Sequence, residues 1–307
     1  MPLHAQAAAH LAAVADAPPL HTLTVPEVRH AIRGYLGMQR PAPTVAEVQY
    51  SYIVGPGSAL PVRIYRDGPP AGPVILMLHG SGFVGADIEV SDQPARVLAR
   101  DTGATVITVD YRKAPEHPYP AALDDAAAAL DWIASGQLDV DTDRIAVIGD
   151  SAGGTLAAAL VQRVRDSGGP RIAAQALIYP PLRPGDYDAI PADEVGLSAP
   201  DMDWFWRQYL PDGQDGPGRT PSGAAPLDAT DFAALPPAFV ATAEYDVLRG
   251  HGERYVRALT AAGVPATHID YPGTLHGFYW MDAVLDTALD LQRDLASWLR
   301  DTLNGAR

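Results

Sequence analysis

Residues Arg144–Leu160 read "RIAVIGDSAGGTLAAAL". The run "IAVIG" is short, apolar and β-branched, which predicts a buried strand. From Ala152 the residues turn small and apolar, and the periodic pattern continues to Gly168, which predicts a helix closed by that glycine. Between strand and helix stands Gly149-Asp150-Ser151-Ala152-Gly153, a G-x-S-x-G pattern. A strand that turns sharply into a helix at a serine is the setting of a nucleophile elbow. The helix N-terminus behind Ser151 adds free N–H groups and the positive end of a dipole. A serine N-cap in a glycine-rich turn would look similar in isolation, and the strand–turn–helix setting favours the nucleophile.

The same alternation extends outward from this stretch. "VQYSYIV" and "LPVRIYR" flank a Gly/Pro turn and predict an antiparallel hairpin. "PVILMLHG", "ATVITVDYR", "AAQALIYP", "PPAFVATAEYD" and "ATHIDYPG" read as strands. Helices are expected at "AALDDAAAALDWIAS", "VLRGHGERYVRALTAAG" and "DAVLDTALDLQRDLASWLRDTL". Short apolar strands alternating with helices indicate an α/β fold with a mostly parallel sheet covered on both faces. Residues 1–45, helical and proline-punctuated, and about 183–226, rich in Pro, Gly and Asp, fall outside this rhythm. Both are expected to lie over the sheet edge, with 46–307 forming the core. "PDGQDGPGRTPSG" reads as a loop.

Composition narrows the function. With 307 residues the chain can hold one large α/β domain. A formal net charge of −15 argues against a nucleic-acid partner, which would need clustered Lys/Arg. No apolar run is long enough for membrane insertion, and the expected location is the cytoplasm. Cysteine is absent, which removes disulfides, thiolate metal sites and a cysteine nucleophile. No P-loop and no H-E-x-x-H motif is present, and neither a metal nor a cofactor is expected.

A serine nucleophile needs a base and an orienting acid. Of nine histidines, His276 lies in "PGTLHGF" after the last predicted strand, where open parallel sheets form sites. His268 lies inside a strand, His79 in a glycine loop and His117 in a Pro-rich loop. His4, His10, His21 and His30 read as solvated or capping residues, and His251 is expected on the surface. Asp246 ends "FVATAEYD", with Glu244 and Asp270 as competitors. Asp246 gives the chain order Ser, Asp, His.

The loop "LHGSGFVG", residues 78–85, admits two readings. From Gly80 it spells G-x-G-x-x-G after a strand, as in a dinucleotide site, and Asp110 ends the following strand. Against this, the next helix is expected only near Ser91–Pro94, too late for its N-terminus to face a pyrophosphate. The other reading is half of an oxyanion hole, with the Ser81 and Gly82 N–H groups on one side and Ala152 N–H on the other.

Together "HGSGF", "DYRKAPEHPYPAALDD", "DRIAVIGDSAGGTLAAAL", "AEYDVLRGHGE" and "YPGTLHGF" resemble the hormone-sensitive-lipase-like α/β-hydrolases, the bacterial family IV esterases. The resemblance runs from about residue 47 to the C-terminus. It implies an α/β-hydrolase fold with an eight-stranded, mostly parallel sheet. It also implies a helical cap made from residues 1–45 and the insertion at about 183–226. The expected activity is serine carboxylesterase action on short to medium acyl esters through an acyl-enzyme, with a small-molecule ester as partner and often as a homodimer. Ser151, Asp246 and His276 would be catalytic, and Phe83, Trp204, Phe205, Trp206 and Phe278 are candidates for the substrate pocket. An amidase or deacetylase acting on a small natural product, or a non-catalytic small-molecule receptor, would share the fold. One departure stands out: Ser81 replaces the middle glycine of the family's usual H-G-G-G, and a side chain there is costly if φ is positive.

Overall fold

The structure, a computed structural model, describes residues 2–191, 195–210, 219–221 and 223–305. An eight-stranded sheet runs in the order β1-β2-β4-β3-β5-β6-β7-β8. The strands are β1 (Glu47–Val54), β2 (Ala59–Arg66), β3 (Val74–Leu78), β4 (Thr105–Val109), β5 (Ile145–Asp150), β6 (Ala174–Ile178), β7 (Ala238–Tyr245) and β8 (Ala266–Leu275). β1 pairs antiparallel with β2, and β2 antiparallel with β4. Every other pairing is parallel. The chain belongs to the class expected from its alternation.

The central strands explain their own sequence. Every residue of β3, β4 and β5 is buried. Strands covered on both faces read as continuous apolar runs, not as an alternation. Helices α3 (Asp92–Thr102) and α8 (Thr287–Gly305) pack on one face, while α4 (Ala121–Ala134), α5 (Ala152–Ser167) and α7 (Arg249–Ala261) pack on the other. Gly168 ends α5 at φ 66°, in the left-handed region that favours glycine. The last helix starts later than the sequence suggested. Residues 281–285 form turns in which the Val284 and Leu285 N–H groups donate to the Met281 carbonyl. Met281 and Leu285 are then spent on a small apolar cluster with Ala7 and Leu275.

Strand order reverses between β3 and β5, which lie side by side although their crossovers leave in opposite directions. That arrangement opens a crevice at the carboxyl ends of the strands. The loop after β3 carries Gly80–Gly82, and the turn after β5 carries Ser151. Above the crevice lie segments that the alternation could not place. They are α1 (Ala5–Ala13), a 3-10 turn at Leu20–Thr22, α2 (Val25–Arg33), a 3-10 turn at Gly34–Met38 and α6 (Ala199–Tyr209). Capping boxes start two of these helices, Thr24 with Glu27 and Ser198 with Asp201. Asp201 also accepts from the His21 backbone N–H at 2.9 Å and meets His21 Nδ1 at 2.8 Å. The N-terminal segment and α6 are thereby joined to each other. Most of the expected loop "PDGQDGPGRTPSG" lies outside the described residues.

Candidate active site

The turn at Ser151 is built by the absence of side chains around it. Ser151 has φ 50° and ψ −124°, a conformation that costs a non-glycine residue ~1–3 kcal/mol. A Cβ on Gly149 would lie 2.2 Å from the Gly153 carbonyl oxygen, and one on Gly153 would lie 1.9 Å from that of Leu78. Both flanking glycines are therefore required for strand, turn and helix to close on one another. The Ser151 N–H donates to the Ile178 carbonyl at 2.8 Å, which ties the elbow to β6.

Two other strand ends deliver the remaining groups. His276 follows β8, and its Nε2 stands 2.9 Å from Ser151 Oγ. Its Nδ1 stands 2.7 Å from Asp246 Oδ2, at the end of β7. Asp246 is completely buried, and its Oδ1 accepts from the Leu248 N–H at 2.9 Å. The carboxylate is thus fixed by the backbone and leaves one oxygen for the imidazole. The competing acids are engaged elsewhere. Glu244 accepts from the Gly273 N–H, and Asp270 from the Thr242 hydroxyl.

The loop after β3 is held on several sides. Gly80 N–H donates to Asp150 Oδ1 at 2.8 Å. The Tyr111 hydroxyl donates to the His79 carbonyl at 2.7 Å, and Arg29 Nε donates to the Val84 carbonyl at 2.9 Å. Gly82 adopts φ 59°, and a Cβ there would lie 2.2 Å from the Phe205 ring. Ser81 is not among the residues with positive φ. Its departure from the family pattern therefore carries no backbone strain. Its hydroxyl meets the Tyr111 hydroxyl at 3.0 Å and is buried there. No described residue accepts from the N–H of Ser81, Gly82 or Ala152. These three donors are free to meet a developing negative charge.

A narrow cavity of about 70 Å³, open to solvent, lies above Ser151. Phe205 lines it, together with Leu20, Ile32, Leu197 and Met202. The other aromatic candidates do not. Phe83 is fully buried and stacks on Tyr209 with ring centres 3.8 Å apart. Trp206 packs beside Phe83, and Trp204 stands edge-on to Phe205. Phe278 is buried between Tyr179 and Tyr271. These rings fasten the covering segments to the core because α6 turns only one side toward the cavity. His251 is also corrected: it is fully buried, not on the surface. Its Nδ1 accepts from the Leu182 N–H and its Nε2 donates to the Gly185 carbonyl. Burial pushes its imidazole down to about 4. His79, stacked on Tyr111, is likewise held neutral by burial, at about 3.

Several residues of the site carried no signal in the sequence reading. Tyr35, Tyr179 and Trp280 line the cavity, as do Leu20, Ile32, Leu197 and Met202. Asp150 could have been found, since it sits inside the G-x-S-x-G pattern. Burial pushes its carboxyl up to about 7, against the opposing pull of the Gly80 N–H and His276. The folded state therefore keeps a proton that the unfolded chain releases near pH 4. Stability drawn from this group is present below about pH 4 and lost as pH rises to about 7. Asp150→Asn retains an acceptor for Gly80 N–H. Its stability relative to wild type is expected to improve across that window by on the order of 2–4 kcal/mol. Denaturant midpoints at pH 4, 5.5 and 7 measure this, and a difference that stays flat with pH contradicts it.

The sequence profile of the "alpha/beta hydrolase fold" family matches residues 75–280. The chain belongs to the hormone-sensitive-lipase-like α/β-hydrolases. It is 41% identical over 267 residues to Esterase LipI of Mycobacterium tuberculosis, covering 82% of this chain and 81% of that protein. It is 40% identical over 245 residues to Carboxylesterase NlhH of the same organism, covering 75% of each. Among solved structures, a hyperthermophilic esterase from the archaeon Pyrobaculum calidifontis superimposes with a TM-score of 0.91. The identity is 36%, with 98% of this chain and 99% of that chain covered. As an α/β-hydrolase, the chain carries its G-x-S-x-G serine at the turn between β5 and α5. The Thr155 hydroxyl, one turn into α5, donates to the Pro181 carbonyl at 2.6 Å.

Proposed function

We propose that Ser151 is the nucleophile of a two-step acyl transfer, with His276 as general base and acid and Asp246 as its orienting carboxylate. The protein is a carboxylic ester hydrolase. The observation that carries the residue roles is the unbroken string from Ser151 Oγ through His276 to Asp246, at 2.9 and 2.7 Å. His276 takes the serine proton as Oγ attacks the ester carbonyl. Negative charge develops on the carbonyl oxygen, and the Ser81, Gly82 and Ala152 N–H groups stabilise it. As the tetrahedral adduct collapses, Nε2 protonates the leaving alcohol. Water then attacks the acyl-enzyme with His276 again as base, and the acid is released.

The N-terminal segment and α6 form the cap of this reading. Their side chains enclose the substrate: Leu20, Ile32, Met202 and Phe205, with Leu197 just before α6, supply an apolar wall. A narrow cavity with an apolar wall suits short to medium acyl chains, with the highest kcat/KM at roughly C4–C8. A series of p-nitrophenyl esters from acetate to palmitate measures this, and a maximum on palmitate contradicts it. Among the described residues no helix is long and apolar enough to cross a membrane. A cytoplasmic location belongs to the same proposal. So does a homodimer.

A further inference from the structure

The cavity has two chemically different ends. At the oxyanion-loop end the Phe205 ring lies against Gly82, with apolar Leu197 and Met202 also lining the space. At the His276 end stands Tyr35, from the 3-10 turn that follows α2. A Cβ placed on Gly277, at φ 84°, would lie 2.6 Å from the Tyr35 hydroxyl. Only a glycine beside His276 leaves room for that phenol. Trp280 meets the Tyr35 ring edge-on, with centres 5.4 Å apart. Trp280 Nε1 is buried with no hydrogen-bond partner among the described residues. Tyr35 lines the cavity beside it. A phenol hydroxyl and an unpartnered indole N–H are thus gathered at one end of an otherwise apolar cavity, where an acceptor on a ligand can meet them. Burial pushes the Tyr35 phenol up to about 12, so it remains a donor at neutral pH.

The reaction decides which part of the substrate reaches that end. His276 Nε2 must hand its proton to the leaving oxygen, so the alcohol part of the ester leaves on the histidine side. We infer that Tyr35, with Trp280 beside it, forms a hydrogen-bonding subsite for the alcohol part of the substrate. The preferred esters are those whose alcohol carries an acceptor oxygen near the ester oxygen, as in hydroxyalkyl or alkoxyalkyl esters. The apolar end is left for the acyl chain. Tyr35 is a substrate contact in this account and takes no part in proton transfer.

This inference rests on the ester-hydrolase reading and deepens it. The test compares 2-methoxyethyl butyrate with butyl butyrate, which have similar shape. Each kcat/KM is divided by that ester's rate with hydroxide, which removes leaving-group reactivity. Wild type is expected to favour the methoxyethyl ester by about three- to tenfold, the range one hydrogen bond carries. In Tyr35→Phe the ratio is expected to fall to about one. A wild-type ratio of one, or a ratio unchanged in Tyr35→Phe, overturns the inference while leaving ester hydrolysis intact. Failure to hydrolyse either ester would instead overturn the function itself. Should Tyr35→Phe not fold, binding to the Ser151→Ala protein replaces it. The methoxyethyl ester is expected to bind at least as tightly as the more apolar butyl ester, and about tenfold weaker binding overturns the subsite.

Discussion

Ser151→Ala is expected to lower kcat for p-nitrophenyl butyrate by on the order of 10⁴–10⁶-fold. The loss is this large because the other groups work through the serine oxygen. Without Oγ, His276 has no proton to take and no covalent intermediate forms. The three loop N–H groups would still bind the carbonyl oxygen, which sets the floor of residual rate. Alanine keeps the Cβ, so the cost of the φ 50° turn is unchanged. Among the described residues the one hydrogen-bond partner of Oγ is His276, and the unfolding temperature is expected to shift by no more than a few degrees. Loss of activity with a retained fold therefore reports chemistry. Stopped or steady-state release of p-nitrophenol with thermal melts separates the two, and turnover within tenfold of wild type contradicts the assignment.

Asp246→Asn is the second large effect, and it follows from hydrogen-bond bookkeeping at one carboxylate. Asp246 accepts twice, from the Leu248 N–H at Oδ1 and from His276 at Oδ2. Asparagine offers one acceptor and one donor. With its oxygen kept on Leu248, its NH₂ faces His276 Nδ1, which must then accept. The proton moves to Nε2, facing Ser151, and the imidazole cannot act as base. The shape of the site is retained while kcat is expected to drop by about 10³–10⁴-fold at neutral pH. Steady-state kinetics on the folded variant measure this. A drop below tenfold would show that Asp246 does not set the tautomer, and Glu244 or Asp270 would return as candidates.

Much of the fold was legible because its signals are local. β3, β4 and β5 are continuous apolar runs, and Gly168 marks the end of α5. The close spacing of strand, serine and helix around Gly149–Gly153 left few other ways to build that turn. The three residues of the string sit at strand ends, where topology gathers loops from distant parts of the sequence. The substrate pocket was less legible. Trp206 and Phe83 have the composition of a pocket and the position of a core. Only the rotation of α6 decides which ring faces the cavity, and Phe205 is the one that does. Tyr35 and Leu20 come from the N-terminal segment, whose place beside the cavity is set by tertiary contacts such as His21 with Asp201. His251 shows the same limit: a helix start usually exposes a histidine, but here Leu182 and Gly185 close over it.

The Ser81 substitution illustrates how one residue's effect depends on backbone conformation. Read as a replacement for glycine, it threatened strain. In the structure the positive φ values fall on Gly82 and Phe83, one and two residues later. Ser81 is accommodated, and its hydroxyl joins Tyr111 and the His79 carbonyl in a short chain that steadies the loop.

Covalent labelling tests the account most directly. The protein is treated with an organophosphate ester, which a serine activated by His276 attacks to form a stable tetrahedral adduct. Intact mass and peptide mapping are expected to show one adduct per chain, on Ser151, rising in step with loss of esterase activity, and none on Ser151→Ala. An adduct on another residue with full loss of activity, or full activity in the labelled protein, would contradict it.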